Sequence, residues 1–203
     1  MARLGTHNSG TSGSLVWWQW LFTPIFQLVS KCQKLDIVEQ VLRGVRVFNF
    51  QVTYYKGEWH FSHGLCIYRE KLKSALKIFK RVKKLLPGDC KEPYYIQLYL
   101  DKNFFLGQNR SKFDSLVREL LDHQKDGNYI LLTAWVEGDK EYFYKSSTKI
   151  NLVEKYWTTS WAKQYGKSWV DYLPLPKRHA KKYNKQYLEE YKDSDFLMLD
   201  FID

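Results

Sequence analysis

Gly5-Thr6-His7-Asn8-Ser9-Gly10-Thr11 follows directly on Arg3-Leu4 and sets a histidine among small and polar residues at the end of a short, apolar-tending start. A second segment answers it downstream. Trp59-His60-Phe61-Ser62-His63-Gly64 reads as a short aromatic strand that closes on histidine and glycine. Two histidines at two strand ends suggest an acid and a base, because one imidazole can start neutral while the other carries a proton.

The segments between and after them alternate strand and helix. Asp36 caps a short helix with Glu39 three residues on, and Gly44 ends it. Val45 to Val52 follows as a strand in which Val45, Val47, Asn49 and Gln51 share a face that turns polar toward its C-terminal end. Tyr54 to Gly57 reads as a turn and Glu58 to Ser62 as a strand. From Glu70 to Leu86 the residues Leu72, Ala75, Leu76, Phe79, Val82, Leu85 and Leu86 recur at helical spacing, with lysines and arginines between them, and Pro87-Gly88 is the stop. That basic face is either simply solvated or an anion-binding surface.

Tyr94 to Leu100 is a strand with Tyr95, Gln97, Tyr99 and Asp101 on one side. Ser111 to Gln124 is a helix, and Tyr129 to Val136 another strand. Residues 137–175 show weak periodicity, with an aromatic lobe expected around Trp157, Trp161 and Trp169. A helix runs from Pro174-Leu175-Pro176 to Lys192, and Phe196 to Phe201 is a buried-type strand bearing Asp200. Strand-helix-strand order implies an α/β fold with mainly parallel pairing. Polar residues at strand ends (His7, Asn49, Gln51, His63, Asp101, Asp200) converge on one face if such strands form a barrel. His60, His123 and His179 have no such setting.

The bulk composition is consistent with one domain over 1–203: 203 residues, 44% hydrophobic and 17% aromatic, are enough for one well-buried core. Lys+Arg exceed Asp+Glu by 32 to 22, and the net charge of +10 favours an anionic partner surface, phospholipid or nucleic acid. Cys32, Cys66 and Cys90 have no metal-type spacing and read as free thiols of a reducing compartment. The strongest apolar stretch, Leu15 to Val29, is interrupted by Gln19, Pro24 and Gln27, so neither a signal peptide nor a membrane span is expected, and the location is cytoplasmic or peripheral to a membrane. Trp17, Trp18 and Trp20, in the aromatic segment 12–30, are either core aromatics or an interfacial patch.

Gly5-Thr6-His7-Asn8-Ser9, Cys32-Gln33 through Ile37-Val38-Glu39-Gln40, Gly44-Val45-Arg46-Val47-Phe48-Asn49-Phe50, His63-Gly64 and Leu199-Asp200-Phe201-Ile202 together resemble the ordered signature of the phosphatidylinositol-specific phospholipase C X domain, in particular its compact bacterial branch. The match is dense over residues 4–64 and sparse from 137 to 195. The resemblance implies a distorted, incomplete TIM-like (β/α) barrel that works at a phospholipid membrane surface. It implies attack of the inositol 2-hydroxyl on phosphorus, with a cyclic inositol phosphate as first product. On this reading His7 is the general base, Asp200 the carboxylate that orients it and His63 the general acid. No nucleic-acid motif accompanies the basic charge.

The resemblance also defines departures. Bacterial members carry an acidic residue and an arginine at the positions of Asn49 and Gln51, and that arginine offsets phosphate charge where animal enzymes use calcium. Asn8 matches the animal calcium-binding asparagine, and Asp101 falls near another acidic ligand. Asn8, Asn49, Gln51, Asp101 and Lys102 are thus the expected phosphate- and substrate-binding set, with Lys102 or Arg69 as substitute cations. Two weak oxygen ligands plus amides make a poor hard-cation site, so no strongly bound metal or cofactor is expected. The competing expectation is a barrel retained as a binding or structural module in a larger assembly.

Overall fold

The computed structural model describes residues 2–85, 92–156, 158, 162 and 175–202. The expected helix stop at Pro87-Gly88, Cys90, the helix start at Pro174 and the lobe at Trp157, Trp161 and Trp169 lie outside the described residues, as does the Trp20 side chain. In chain order the elements are β1 (Arg3–Thr6), a 3-10 turn (Trp17–Phe22), α1 (Thr23–Ser30), α2 (Ile37–Leu42), β2 (Val47–Tyr55), β3 (Glu58–His63), β4 (Cys66–Lys71) and α3 (Leu72–Leu85). They continue with β5 (Tyr94–Leu100), α4 (Arg110–His123), a 3-10 turn (Gln124–Asp126), β6 (Tyr129–Val136), β7 (Tyr144–Lys145), β8 (Leu152–Glu154), α5 (Pro176–Glu190) and β9 (Phe196–Leu199).

The nine strands form one sheet in the order β7-β6-β5-β2-β1-β9-β8, with β3 and β4 branching from β2. β8, β9, β1, β2, β5 and β6 run parallel, and β7 is antiparallel on β6. Among the described residues no ladder joins β7 to β8, so the sheet curls into an incomplete TIM-like barrel. None of the helices described is long and apolar enough to cross a membrane.

Alternation along the strands sorts residues between two layers. Phe48, Phe50, Ile96, Leu98 and Leu131 face the helices with Leu72, Ala75, Phe79, Phe113 and Leu116 in the main core. Val47, Phe196 and Met198 form a smaller plug inside the curl. A side chain at Gly5 would crowd this plug, because a Cβ would come within 3.1 Å of the Val47 Cβ and 3.4 Å of the Met198 Cα and these neighbours would have to give by a few tenths of an ångström. The inner face above this plug is polar, as the alternation of Val47, Asn49 and Gln51 predicts.

Several boundaries differ from the sequence reading for identifiable reasons. β2 runs on through Tyr55 because its upper half pairs with β3, and the chain reverses at Lys56-Gly57 with both φ positive, +47° and +86°. That two-residue geometry suits the twist of a β-hairpin. The helix expected from Glu70 begins at Leu72, since Lys71 still pairs with His60 as the last residue of β4. The Asp36–Glu39 capping box forms reciprocally, with both bonds at 2.8 Å. Helix α5 ends at Glu190 and the last strand at Leu199, short of the expected Lys192 and Phe201.

Candidate active site

The C-terminal ends of the parallel strands open into a cavity of about 460 Å³. His7 follows β1 and enters it with its Nδ1 2.9 Å from Asp200 Oδ1, on a fully buried carboxylate just after β9. An ionised carboxylate only accepts, so the ring proton sits on Nδ1 and Nε2 is left as the basic atom. The ring of Tyr156 stacks on His7 at 3.7 Å and 3°, and the Tyr156 hydroxyl donates to Glu154 Oε2 at 2.9 Å.

The main chain around His7 is fixed by two buried glutamines from the segment after α1. Gln33 Nε2 donates to the carbonyls of His7 (2.8 Å) and Leu199 (3.1 Å). Gln40 accepts from Thr6 Oγ1 and donates to the carbonyls of Ser9 and Leu35 at 2.8, 2.9 and 2.7 Å. These bonds pair buried backbone carbonyls, and a buried polar group left unpaired costs about 1–3 kcal/mol.

His63, at the end of β3, lies 6.3 Å from His7 between ring centroids with the planes at 85°. Its Nδ1 is 2.9 Å from the Ser30 carbonyl. A carbonyl only accepts, so here too Nδ1 holds the proton and Nε2 is the exchangeable atom. Burial holds the His63 pKa below the ordinary imidazole value, the nearby His7 ring lowers it further, and the Ser30 bond and the carboxylates of Asp200 and Glu137 oppose the fall. The two rings therefore face one cleft, each with Nδ1 engaged and Nε2 as the exchangeable atom.

Hydrogen bonds link the strand ends around the rim. Asn8 N–H donates to Asn49 Oδ1 (3.3 Å), Asn49 Nδ2 to Gln97 Oε1 (3.2 Å) and Gln97 Nε2 to Glu154 Oε1 (2.9 Å). Gln51 Nε2 donates to Asp101 Oδ1 at 3.0 Å. Burial pushes the Asp101 carboxyl up to about 7; Ser62 holds it down, Glu137 raises it again and Gln51 opposes. A register shift between β5 and β6 after Ile96 turns Thr133, Trp135 and Glu137 into the cavity.

His7, Asn8, Asn49, Gln51, His63 and Asp101 thus meet in one cleft, with Asp200 directly behind His7. Lys102 does not join them: its side chain is exposed, and only its backbone N–H reaches inward, to Glu137 Oε2 at 2.6 Å. Arg69 is removed as well, since its Nε donates to the Leu15 carbonyl at 3.0 Å and it lines a separate cavity with His60 and Lys71. Among the described residues no lysine or arginine lines the cleft.

Sequence reasoning missed Cys32, Glu137, Glu154 and Tyr156. Glu137 directly follows Val136, the last residue of β6, as Asp101 follows β5, so the same strand-end rule marks it. Glu154 and Tyr156 come from the weakly periodic segment, where a three-residue strand leaves no pattern. Cys32 is buried against Asn8 Nδ2 (3.6 Å) and His63 Nδ1 (3.7 Å), and burial pushes its thiol pKa well up. The described His, Cys, Asp and Glu side chains close enough to share an ion are His7, Cys32 and Asp200.

Of the outer aromatics, Trp17 is exposed, while Trp18 is half-buried edge-on to Phe105 at 5.0 Å. Gln19, which interrupts the apolar stretch, is buried and ties it to β4 by accepting from Ile67 N–H at 2.8 Å and donating to the Leu65 carbonyl at 2.6 Å.

Fold and cleft define an open TIM-like barrel with two histidines and a buried carboxylate at its parallel strand ends. No family profile and no curated protein matches the chain. Among solved structures it is similar to the phosphatidylinositol-specific phospholipase C from Listeria monocytogenes, with 16% identity and a TM-score of 0.63, covering 100% of this chain and 89% of that one. It is also similar to a mutant of the same enzyme from Staphylococcus aureus, at 13% identity and a TM-score of 0.62 over 98% of this chain and 84% of that one. A further S. aureus structure, from work on the membrane binding of that enzyme, matches at 14% identity and a TM-score of 0.60. The shared property at these identities is the fold.

Proposed function

We propose that the chain is a phosphatidylinositol-specific phospholipase C-like phosphodiesterase that cleaves an inositol phospholipid or related phosphodiester through a cyclic phosphate. The observation that carries this reading is the pairing of His7, backed by Asp200 at 2.9 Å, with His63, the two ring centroids 6.3 Å apart in one cleft. In the proposed reaction His7 Nε2 takes the proton of the inositol 2-hydroxyl as its oxygen attacks phosphorus. The imidazolium that forms is stabilised by Asp200. His63 Nε2 gives its proton to the departing diacylglycerol oxygen, so the P–O bond breaks as the cyclic phosphate closes.

The proposed partner is a phospholipid surface. Trp17, Leu21, Ile25 and Leu28 are 65%, 66%, 68% and 63% exposed on consecutive turns, and Phe104, Phe105 and Leu106 lie exposed nearby through the Trp18–Phe105 contact. An apolar strip of this kind on a chain of net charge +10 suits an anionic bilayer.

The test is incubation with phosphatidylinositol vesicles without added calcium, read by phosphorus NMR. Cyclic inositol phosphate is expected, and its loss in His7→Ala and in His63→Ala. Turnover untouched by both substitutions overturns the roles. One observation favours a second reading, a barrel that binds its ligand without cleaving it: the described cleft lining holds Asp101, Glu137 and Glu154 but no cation to offset phosphate charge. Vesicle binding with no product in the same assay supports that reading.

A further inference from the structure

Cys32, His7 and Asp200 come from three distant segments, yet each offers one ligand atom within 4.8 Å of the others. We propose that these side chains form a binding site for one thiophilic divalent cation of the zinc class, entered from the cleft that His7 and Cys32 line. The donor set decides the metal. One sulfur, one imidazole nitrogen and one carboxylate oxygen match a zinc or cobalt(II) ion that keeps a fourth position open, whereas calcium and magnesium need a shell of oxygens.

The geometry is close to what such an ion requires. Zinc–ligand bonds of about 2.0–2.3 Å in a tetrahedron set the donors about 3.3–3.8 Å apart. The His7–Asp200 pair at 2.9 Å must open by a few tenths of an ångström, and the widest separation, within 4.8 Å, must close by about one. The sulfur already has an outer partner, since Asn8 Nδ2 donates to it at 3.6 Å.

The charges balance. On binding, the Cys32 thiol releases its proton to solvent, and His7 coordinates through Nδ1, the atom that faces Asp200 Oδ1, its ring proton moving to Nε2 by exchange with solvent. Thiolate and carboxylate then neutralise the two charges of the ion. The site needs only these three donors and does not depend on the acid–base reading. If that reading holds, occupancy removes His7 from use as a base, and zinc is a reversible inhibitor.

The experiment titrates the full chain with cobalt(II) and records absorption. Expected are saturation at one equivalent, a thiolate-to-cobalt charge-transfer band in the near ultraviolet with tetrahedral bands in the visible, and their loss when zinc is added. Cys32→Ser is expected to lose the near-ultraviolet band and to bind at least about tenfold more weakly. The Cys66→Ser/Cys90→Ser double variant is expected to keep both properties. No band at one equivalent, or a band that survives in Cys32→Ser, overturns the proposal. Should Cys32→Ser fail to fold, zinc-edge X-ray absorption of the unaltered chain with one equivalent of zinc decides: one sulfur at about 2.3 Å supports the site, and a shell without sulfur overturns it. None of these readouts uses phospholipid turnover, so failure here and failure of the proposed activity are separate results.

Discussion

Gln51 Nε2 donates to Asp101 Oδ1 at 3.0 Å, so a neutral amide is the partner of a carboxyl whose pKa burial has pushed up to about 7. The folded protein holds that proton more tightly than the unfolded chain does. Stability therefore falls as pH rises from the ordinary carboxylate value of 3.8 to about 7, and is level above it. Urea unfolding of the unaltered chain and of Asp101→Asn at pH 5 and pH 8 measures this. The unaltered chain is expected to lose about 2 kcal/mol more than the variant between the two pH values. Comparing the two proteins cancels the opposite contribution of His63, and equal pH dependence contradicts the assignment.

The lowered pKa of His63 has the reverse sign and a catalytic consequence. A group that must donate a proton is active only while it holds one, and burial brings the loss of that proton below the usual 6.5. The descending limb of kcat/KM for phosphatidylinositol cleavage is therefore expected below pH ~6.5. A flat profile to pH 8 removes His63 as the acid. Asp200→Asn is expected to cut kcat by about a hundredfold or more, because the His7 tautomer is no longer fixed.

The exposed strip at Trp17 and Ile25 makes few contacts that folding depends on. Trp17→Ala and Ile25→Ala are each expected to weaken binding to phosphatidylinositol-containing vesicles by about tenfold, since burial of such side chains contributes about 1.5–3 kcal/mol. Their unfolding free energies, from urea titration, are expected to stay within about 0.5 kcal/mol of the unaltered chain. Unchanged vesicle partitioning, measured by sedimentation, places the membrane contact elsewhere.

Periodicity made β2, β5, β6, α3 and α4 legible from the sequence, because each alternates between a helix-facing layer and an inner face or buries a single stripe. Strand-end polarity then located most of the cleft before its geometry was known. β4 escaped because Cys66 to Lys71 runs into α3 without a turn signal, so Glu70 and Lys71 read as helix. Lys102 misled because it lies just past the end of β5, where Asp101 is buried but the next residue, Lys102, is exposed. Cys32, with a ligand atom within 4.8 Å of one on His7, and Tyr156, stacked on the His7 ring, reach it through tertiary packing.

The absence of a lysine or arginine from the described cleft lining makes Gln51 the position at which charge matters most. Its side chain already ends on Asp101, so a guanidinium there finds a carboxylate to orient it. Opposite charge also favours the ionised carboxylate, and Gln51→Arg is expected to draw the Asp101 pKa back toward the ordinary range. A preorganised cation beside the phosphate stabilises the developing negative charge, and its placement in a partly water-excluded cleft magnifies that effect. Gln51→Arg is accordingly expected to raise kcat on phosphatidylinositol by at least about tenfold, or about 1.4 kcal/mol of barrier. Gln51→Lys, a point charge without the planar fork, is expected to gain less. The comparison is made on vesicles at fixed lipid and ionic strength, with Gln51→Met as the uncharged control. A Gln51→Arg variant no faster than Gln51→Met would show that phosphate charge is not what limits this site.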